Sequence, residues 1–375
     1  MNDLLPWILL CFWLFGFWFL WRVPVPGGRA ESGPRDRPLS VIIPARNEED
    51  NLGRLLGSLD RQSPAPLEVI VVDDHSGDGT AETARRHGGR VLRSADLPPG
   101  WAGKPWACLQ GAREARGDLL LFLDADTFLE NQGLEKIRTS LPQGGGVVTV
   151  QPYHRMERAW ERLSAVFNIV VLGGSNAFTP LGNRIEPAGA FGPCLLCPRE
   201  AYFAVGGHER ARGKILESLD LGKAFLEAGY RVLCYGGKGV LSFRMYGDGF
   251  RAMVEGFSKG FGIGAGAVSR TVLVMIVCWV FGSVSLTRHL VQSAVLGDGG
   301  QLFVWAGLYV FYGVQFHWML YRIGSFGRWP AALFPVPVLF FVLVFLLSLF
   351  KTAFRKKARW KGRTVSTRRG GGDAP

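Results

Sequence analysis

LSVIIPARNEEDNLGRLLGSL, residues 39–59, passes from a strand to a helix within one short segment. LSVIIPA (39–45) is a continuous apolar run, the pattern of a strand covered on both faces. Asn47 stands where a cap for the following helix is expected. Glu48, Glu49 and Asp50 fill its first turn, where the helix dipole favours anions. Leu52, Leu55, Leu56 and Leu59 then recur at i, i+3, i+4 and i+7, which makes one apolar face. The alternation repeats downstream. EVIVVDD (68–74) reads as a second buried strand, and Thr80 opens a helix that Gly88 and Gly89 end. A helical stretch near 105–116 precedes a third strand, DLLLFLDAD (118–126), and VVTVQP (147–152) is a fourth. Strands alternating with helices predict an α/β fold with a doubly wound, mostly parallel sheet.

Such sheets bind ligands beyond the carboxyl ends of their strands. The polar clusters fall there: ARNEED after the first strand, DDHSGDGT after the second and DAD after the third. Asp124 and Asp126, two apart at a strand end, offer hard oxygen ligands that suit Mg²⁺ or Mn²⁺ together with the phosphates of a nucleotide-sugar. Asp73 and Asp74 can accept hydrogen bonds from a ribose or a base. The Ser76–Gly79 turn lets the backbone approach a ligand closely. Each cluster alone also reads as an ordinary acidic loop or turn.

In this order and spacing, IIPARNEEDNL (42–52), VVDDHSGDGT (71–80) and LDAD (123–126) resemble the nucleotide-sugar domain of family-two inverting glycosyltransferases, which adopt the GT-A fold. LPPGWAGKPWACLQGA (97–112), the GGH at Gly206–His208 and the WKGR at 360–363 resemble the membrane-bound branch containing 4,4′-diaponeurosporenoate and hopanoid-associated glycosyltransferases. The resemblance extends well over residues 38–260 and is one of general character beyond them. It implies that Pro44, Ala45, Arg46, Asn47 and Glu48 line the nucleotide. It implies too that Asp74, with Asp73 beside it, holds uracil or ribose, and that Lys104 lies near the diphosphate. Asp124 then faces the ribose and sugar, and Asp126 binds the metal. A solvated surface lysine is the other reading of Lys104.

At the acceptor end the sequence departs from the family. Members carry Glu-Asp eleven residues before a Gly-Tyr, with the Asp as base, and counting back from Gly229–Tyr230 gives Ser218 at that place. Glu217 keeps the Glu position and Asp220 lies two residues beyond Ser218, so these two are the candidate bases. His208 is a third, with a structural histidine as its other reading. An acceptor that is already ionised, a carotenoic acid or a lipid phosphate, needs no base.

The chain has 375 residues, 48% of them apolar, and the apolar ones concentrate at 4–21 and 271–350. Residues 4–21 have the length and aromatic content of a spanning helix. Arg22 and Arg29 on its far side put the chain from residue 22 onward in the cytoplasm, and the segment lacks the small-residue cleavage pattern of a signal peptide. Three further candidates are 271–286, 302–321 and 331–350. Three crossings would put the basic tail outside, against the charge rule, so one of them is expected not to span. Of the net charge of +12, residues 351–375 carry +8, a membrane-surface anchor. No basic stripe with interleaved aromatics supports a nucleic-acid partner. Phe250, Val254 and Phe257, with Phe261 a turn on, suit an interfacial amphipathic helix or a plain surface helix. Six cysteines, with a single CLLC pair at 194–197, read as buried thiols in a reducing compartment rather than a zinc site.

The expected organisation is an anchor and linker (1–36), a GT-A domain (37–246), an interfacial segment (247–269), membrane segments (270–350) and a cytoplasmic basic tail (351–375). The expected protein is a multi-pass enzyme of the cell membrane with its catalytic domain in the cytoplasm. It transfers a hexose, glucose from UDP by resemblance, to a lipid-like or carotenoid acceptor. The rivals are a polyprenyl-phosphate sugar transferase, a processive synthase, which lacks a QxxRW before the apolar segments, and a non-catalytic nucleotide-sugar-binding membrane protein.

Overall fold

The computed structural model describes residues 4–27, 36–214, 216–247, 249–265, 268–354, 357–360 and 363–366. In chain order the elements are α1 (Leu5–Phe19), β1 (Leu39–Ala45), α2 (Glu49–Leu59), β2 (Glu68–Asp73), α3 (Thr80–Arg86), β3 (Arg90–Arg93), α4 (Gly103–Glu114), β4 (Leu119–Leu123), β5 (Thr127–Leu129), α5 (Gly133–Thr139), β6 (Val147–Gln151) and β7 (Tyr153–His154). Then come α6 (Ala165–Gly174), β8 (Cys194–Pro198), α7 (Arg199–Ala204), α8 (Glu217–Glu227), β9 (Val232–Gly236), β10 (Leu241–Phe243), α9 (Phe250–Ala265), α10 (Arg270–Leu296), α11 (Gly299–Ile323), α12 (Trp329–Ala332) and α13 (Pro335–Phe354). Two short antiparallel strands, β11 (Lys357–Trp360) and β12 (Arg363–Ser366), lie in the tail. Arg29, Arg355, Lys356, Lys361, Arg368 and Arg369 fall outside the described residues, as do the side chains of Lys259 and Phe261.

Seven strands form the central sheet in the order β3-β2-β1-β4-β8-β6-β9. β3, β2, β1 and β4 are parallel, and so are β6 and β9; β8 runs antiparallel to both its neighbours. β1 is buried along both faces because its residues alternate between two cores. Val41 and Ile43 join the leucines of α2 on one side, while Ile42 meets Ala107 and Ala112 of α4 on the other. Gly111 lets α4 press onto β1, since a Cβ there would lie 2.5 Å from Ile42 Cγ2.

One expectation is corrected here. Asn47 does not cap α2: its backbone is left-handed (φ 52°), and its side-chain oxygen instead accepts from Gly77 N–H at 2.8 Å. VVTVQP forms the expected strand, β6. Between it and β4 lies the CLLC run, Cys194–Pro198, whose four apolar residues are buried in the sheet. The thiols are thus core side chains, and burial pushes Cys194 and Cys197 well above the ordinary thiol range.

A third core joins α1 to α6 and to the helices after residue 250. Gln315 ties three helices together: it accepts from Trp279 Nε1 at 2.9 Å and donates to the Trp13 carbonyl at 2.8 Å. Gly16 leaves it room, since a Cβ would meet Gln315 Oε1 at 2.3 Å. Tyr312 donates to the Leu9 carbonyl, and Arg322 to that of Leu20. Among the described residues one helix, Arg270–Leu296, is long and apolar enough to cross a membrane; it runs ten residues past the expected end at 286. Leu5–Phe19 and Pro335–Lys351 are shorter apolar helices. The helix expected after residue 247 forms as α9. Met253 and Phe257 are buried, and the Phe257 ring stacks on Phe167 at 4.1 Å. Phe250 remains exposed.

Candidate active site

Strand register brings the polar clusters together. Ala45 of β1 is level with Asp73 of β2, and Ile42 with Phe122 of β4, so β1, β2 and β4 all end at the same edge. Pro44 and Ala45 close β1, followed by Arg46, Asn47 and Glu48 in the turn to α2. Arg46 donates to the Asp74 backbone carbonyl at 3.2 Å and lies 3.4 Å from its carboxylate. Asp74 is buried, and His75 Nδ1 lies 3.4 Å from its other oxygen. Asp73 Oδ1 accepts from Ser76 N–H at 3.1 Å. The two turns are stitched together by Asn47 N–H to Ser76 Oγ (3.0 Å) and Glu48 N–H to Thr80 Oγ1 (2.9 Å). His75 takes φ 57°, an uncommon conformation for a residue with a ring.

Across the edge, Lys104 in the first turn of α4 reaches Asp124. Its Nζ lies 2.6 and 2.9 Å from the two carboxylate oxygens, 3.3 Å from the Gly192 carbonyl oxygen and 3.8 Å from Glu217 Oε1. Lys104 is therefore no solvated surface lysine. Burial pulls its pKa down, but Asp124 and then Glu217 outweigh that and hold the ammonium charged. Ser218 enters the same cluster, since a Cβ on Gly192 would meet its Oγ at 2.9 Å. Asp220 sits half-buried one turn into α8; among the described residues no side-chain hydrogen bond or ion pair engages it. Burial pushes the Glu217 carboxyl above its ordinary range against the pull of Lys104.

His208 leaves the list of bases. It is buried against Phe122, with Nδ1 2.8 Å from the Tyr202 hydroxyl, and burial with the Lys104 charge pushes it down to about 3. It is a neutral packing residue.

Asp126 is the carboxylate with too little countercharge. Burial, then the charges of Asp124 and Glu48, raise it to about 7, while Lys104 is already engaged by Asp124. That imbalance fits a divalent cation. Among the described residues no group of three or more His, Cys, Asp or Glu forms a ready cage. A Mg²⁺ or Mn²⁺ placed there would find one or two protein carboxylates, Asp126 and Asp124, and would need phosphate oxygens and water for the rest of its shell. The sequence reading missed one member of the site, the Gly192 carbonyl, whose oxygen lies 3.3 Å from Lys104 Nζ. A carbonyl leaves no mark in residue type.

The Asp126 shift has a consequence for stability. Its folded pKa lies above the unfolded value near 4, so its contribution is whole below about pH 4 and is lost as pH rises through about 7. A cation bound there offsets the loss. Without metal, Tm is expected to fall between pH 6 and 8. The rise in Tm on adding Mn²⁺ is expected to be larger at pH 8 than at pH 6, and Asp126→Asn to flatten both trends. Thermal melts at the two pH values decide it; equal Mn²⁺ shifts at both would contradict the assignment.

The family model for glycosyl transferase family 2 matches residues 40–198. The chain is 37% identical over 334 residues to 4,4′-diaponeurosporenoate glycosyltransferase of Staphylococcus aureus strain USA300, covering 88% of each chain. It is 36% identical over 337 residues to the enzyme of strain MRSA252. Among solved structures it resembles the mannosyltransferase PcManGT from Pyrobaculum calidifontis, solved in complex with GDP-Man and Mn²⁺, with a TM-score of 0.54 at 17% identity over 93% of this chain and 95% of that one.

Proposed function

Because the chain belongs to glycosyl transferase family 2 and is a glycosyltransferase with a GT-A-like fold, we propose that it moves a hexose, glucose in the first instance, from a UDP-sugar with inversion onto the carboxylate of an apolar, carotenoid-like acceptor at a membrane. The observation that carries this reading is Ser218. The residue beside Glu217, where the family places its base, is a hydroxyl packed against Gly192 next to the Lys104 ammonium. An ionised acceptor needs no proton removed, only placement. The S. aureus relative is named for an acid acceptor of this kind.

In the proposed reaction an acceptor carboxylate oxygen bonds to the sugar C1 as the bond from C1 to the diphosphate oxygen breaks, and that oxygen keeps the electron pair. Arg46 and Asp74, with Asp73 beside them, hold the nucleoside, and Pro44, Ala45, Asn47 and Glu48 form the wall under it. Lys104 keeps a fixed positive charge at the diphosphate, and Asp124 faces the ribose and sugar while holding that lysine in place. Asp126, with or without Asp124, would hold a Mg²⁺ or Mn²⁺, which would supply charge neutralisation at the leaving diphosphate. Glu217, and Asp220 a turn on, orient the acceptor side. A second reading, a hydroxyl acceptor with Glu217 as base, is favoured by the raised Glu217 pKa.

Membrane association belongs to the same proposal. Exposed Val277, Phe281, Phe303, Phe311, Leu339 and Leu343 give the helices after residue 270 an apolar outer surface larger than a water-facing protein usually shows. The division into anchor, catalytic domain, interfacial segment, membrane helices and basic cytoplasmic tail is part of the proposal too.

Purified protein given UDP-glucose, Mn²⁺ and either a carotenoic acid or the matching alcohol separates the two acceptor readings. The acid is expected to be glycosylated, and Glu217→Gln and Asp220→Asn to keep that transfer within about tenfold. If both variants abolished transfer to the acid while still folding and binding UDP, the base-free reading would fail.

A further inference from the structure

The chain after residue 270 turns back twice, and the two turns lie at different depths. α10 and α11 form the first hairpin. They run antiparallel, with Trp279 stacked on Phe316 at 4.9 Å and His289 on Trp305 at 5.0 Å. Arg270 opens α10, Arg322 lies in the last turn of α11 and Arg328 follows it, so arginines gather at the open end of the hairpin. Charge of this sign places that end in the cytoplasm.

The second turn does not reach as far. After Arg328, the short α12 runs back along α11. A Cβ on Gly313 would lie 3.2 Å from the Ala331 carbonyl oxygen, and the Tyr309 hydroxyl donates to the Ala332 carbonyl at 2.8 Å. Phe334, fully buried, packs against Tyr309, Tyr312 and Phe316 with ring centres 4.6–5.8 Å apart. These partners are the middle of α11, with about 15 Å of helix from Gly313 to Ile323 and about 21 Å from Gly313 to Gly299. The turn suits an apolar surrounding. Pro335 and Pro337 carry no N–H in the first turn of α13, where a helix leaves its donors unpaired, and Tyr309 satisfies a carbonyl at the end of α12.

From there α13 returns to the catalytic side. Phe341 meets Phe167 of α6 at 4.9 Å, Phe340 meets Phe250 of α9 at 5.8 Å, and Lys351 Nζ donates to the buried Ser258 Oγ at 2.8 Å. α9 follows β10 of the catalytic domain and precedes the arginine end of α10, so both its ends lie on one side. A helix that finishes beside the middle of α9 has not crossed. Val338, Phe341 and Val344 are buried against the protein, while Val336, Leu339, Leu343, Leu346 and Phe350 form an exposed apolar stripe on the other face.

We propose that α12 and α13 are a re-entrant arm, which dips from the cytoplasmic side to the middle of the bilayer and comes back. Its exposed stripe lies against the lipid tails of the cytoplasmic leaflet. α10 and α11 cross; α13 does not. The arm deepens the membrane association proposed above and rests on it. Two crossings and one arm leave residues 351–375, with their +8 charge, on the side of the catalytic domain and beside the lipid headgroups.

The test uses the full chain expressed in a bacterial host. Green fluorescent protein at the C-terminus is fluorescent only in the cytoplasm, and alkaline phosphatase there is active only outside it. The first fusion is expected to be bright and the second inactive; the reverse would overturn the proposal. Asp298→Cys, at the α10–α11 turn, is made in a chain carrying Cys11→Ser and Cys278→Ser. A membrane-impermeant maleimide is expected to label it in intact cells, and labelling only after lysis would overturn the proposal. Nitroxides at Val336→Cys, Leu343→Cys and Phe350→Cys of the same chain in nanodiscs read the arm itself. Depth is expected to be greatest at Val336→Cys and to fall towards Phe350→Cys. Greatest depth at Leu343→Cys, with both ends shallow, is the pattern of a crossing helix and would overturn the arm alone. A chain washed from the membrane by alkaline carbonate would overturn it together with the membrane association.

Discussion

Asp126→Ala is expected to lower sugar transfer by about 10³-fold or more. A cation at a leaving diphosphate is worth several kcal/mol, and every 1.36 kcal/mol is tenfold in rate. Among the described residues no ion pair engages Asp126, and Lys104 is engaged by Asp124. The same substitution removes a buried carboxylate crowded by Asp124 and Glu48, so the metal-free variant is expected to melt no lower, and at pH 8 somewhat higher, than the unaltered protein. That opposite pair of effects separates lost chemistry from lost folding. Steady-state rates and metal-free melts check it together. Unchanged transfer in the variant would remove Asp126 from the mechanism.

The second large effect is at Lys104. Lys104→Met leaves Asp124 and Glu217 facing each other near Asp126 without the ammonium between them. Breaking a largely buried pair from one side costs about 3 kcal/mol, so Tm is expected to fall clearly. Transfer is expected to fall by about 10²–10³-fold, as for loss of one donor at a site of developing charge. Lys104→Arg is expected to rescue little. The Gly192 carbonyl and Asp124 bracket a single Nζ at 2.6–3.3 Å, a geometry a planar guanidinium does not reproduce. Turnover near the unaltered rate in Lys104→Met would show that the lysine is a structural counter-ion alone.

Much of this centre is legible in the sequence because strand ends announce themselves. An apolar run that stops at Asp73 or Asp124 marks both a buried strand and the edge where it emerges. The leucines of α2 were equally plain, since one face of a helix shows as a 3.6-residue period. What escaped reading depended on contacts far apart in sequence. CLLCP could not be told from any other apolar run until its pairing with β4 and β6 was seen. Asn47 follows the rule for a cap, yet a left-handed backbone turns its side chain to the neighbouring strand's turn instead. His208 looks like a base in one dimension and is sealed beneath Phe122 in three.

A structure of the full chain with UDP and Mn²⁺ tests the acidic centre most directly. The ion should lie between the Asp126 carboxylate and the diphosphate, with Lys104 on the phosphates and the uridine against Asp74. Nucleotide bound elsewhere, or an ion coordinated without Asp126, would contradict the assignment of this sheet edge as the place where the sugar is transferred.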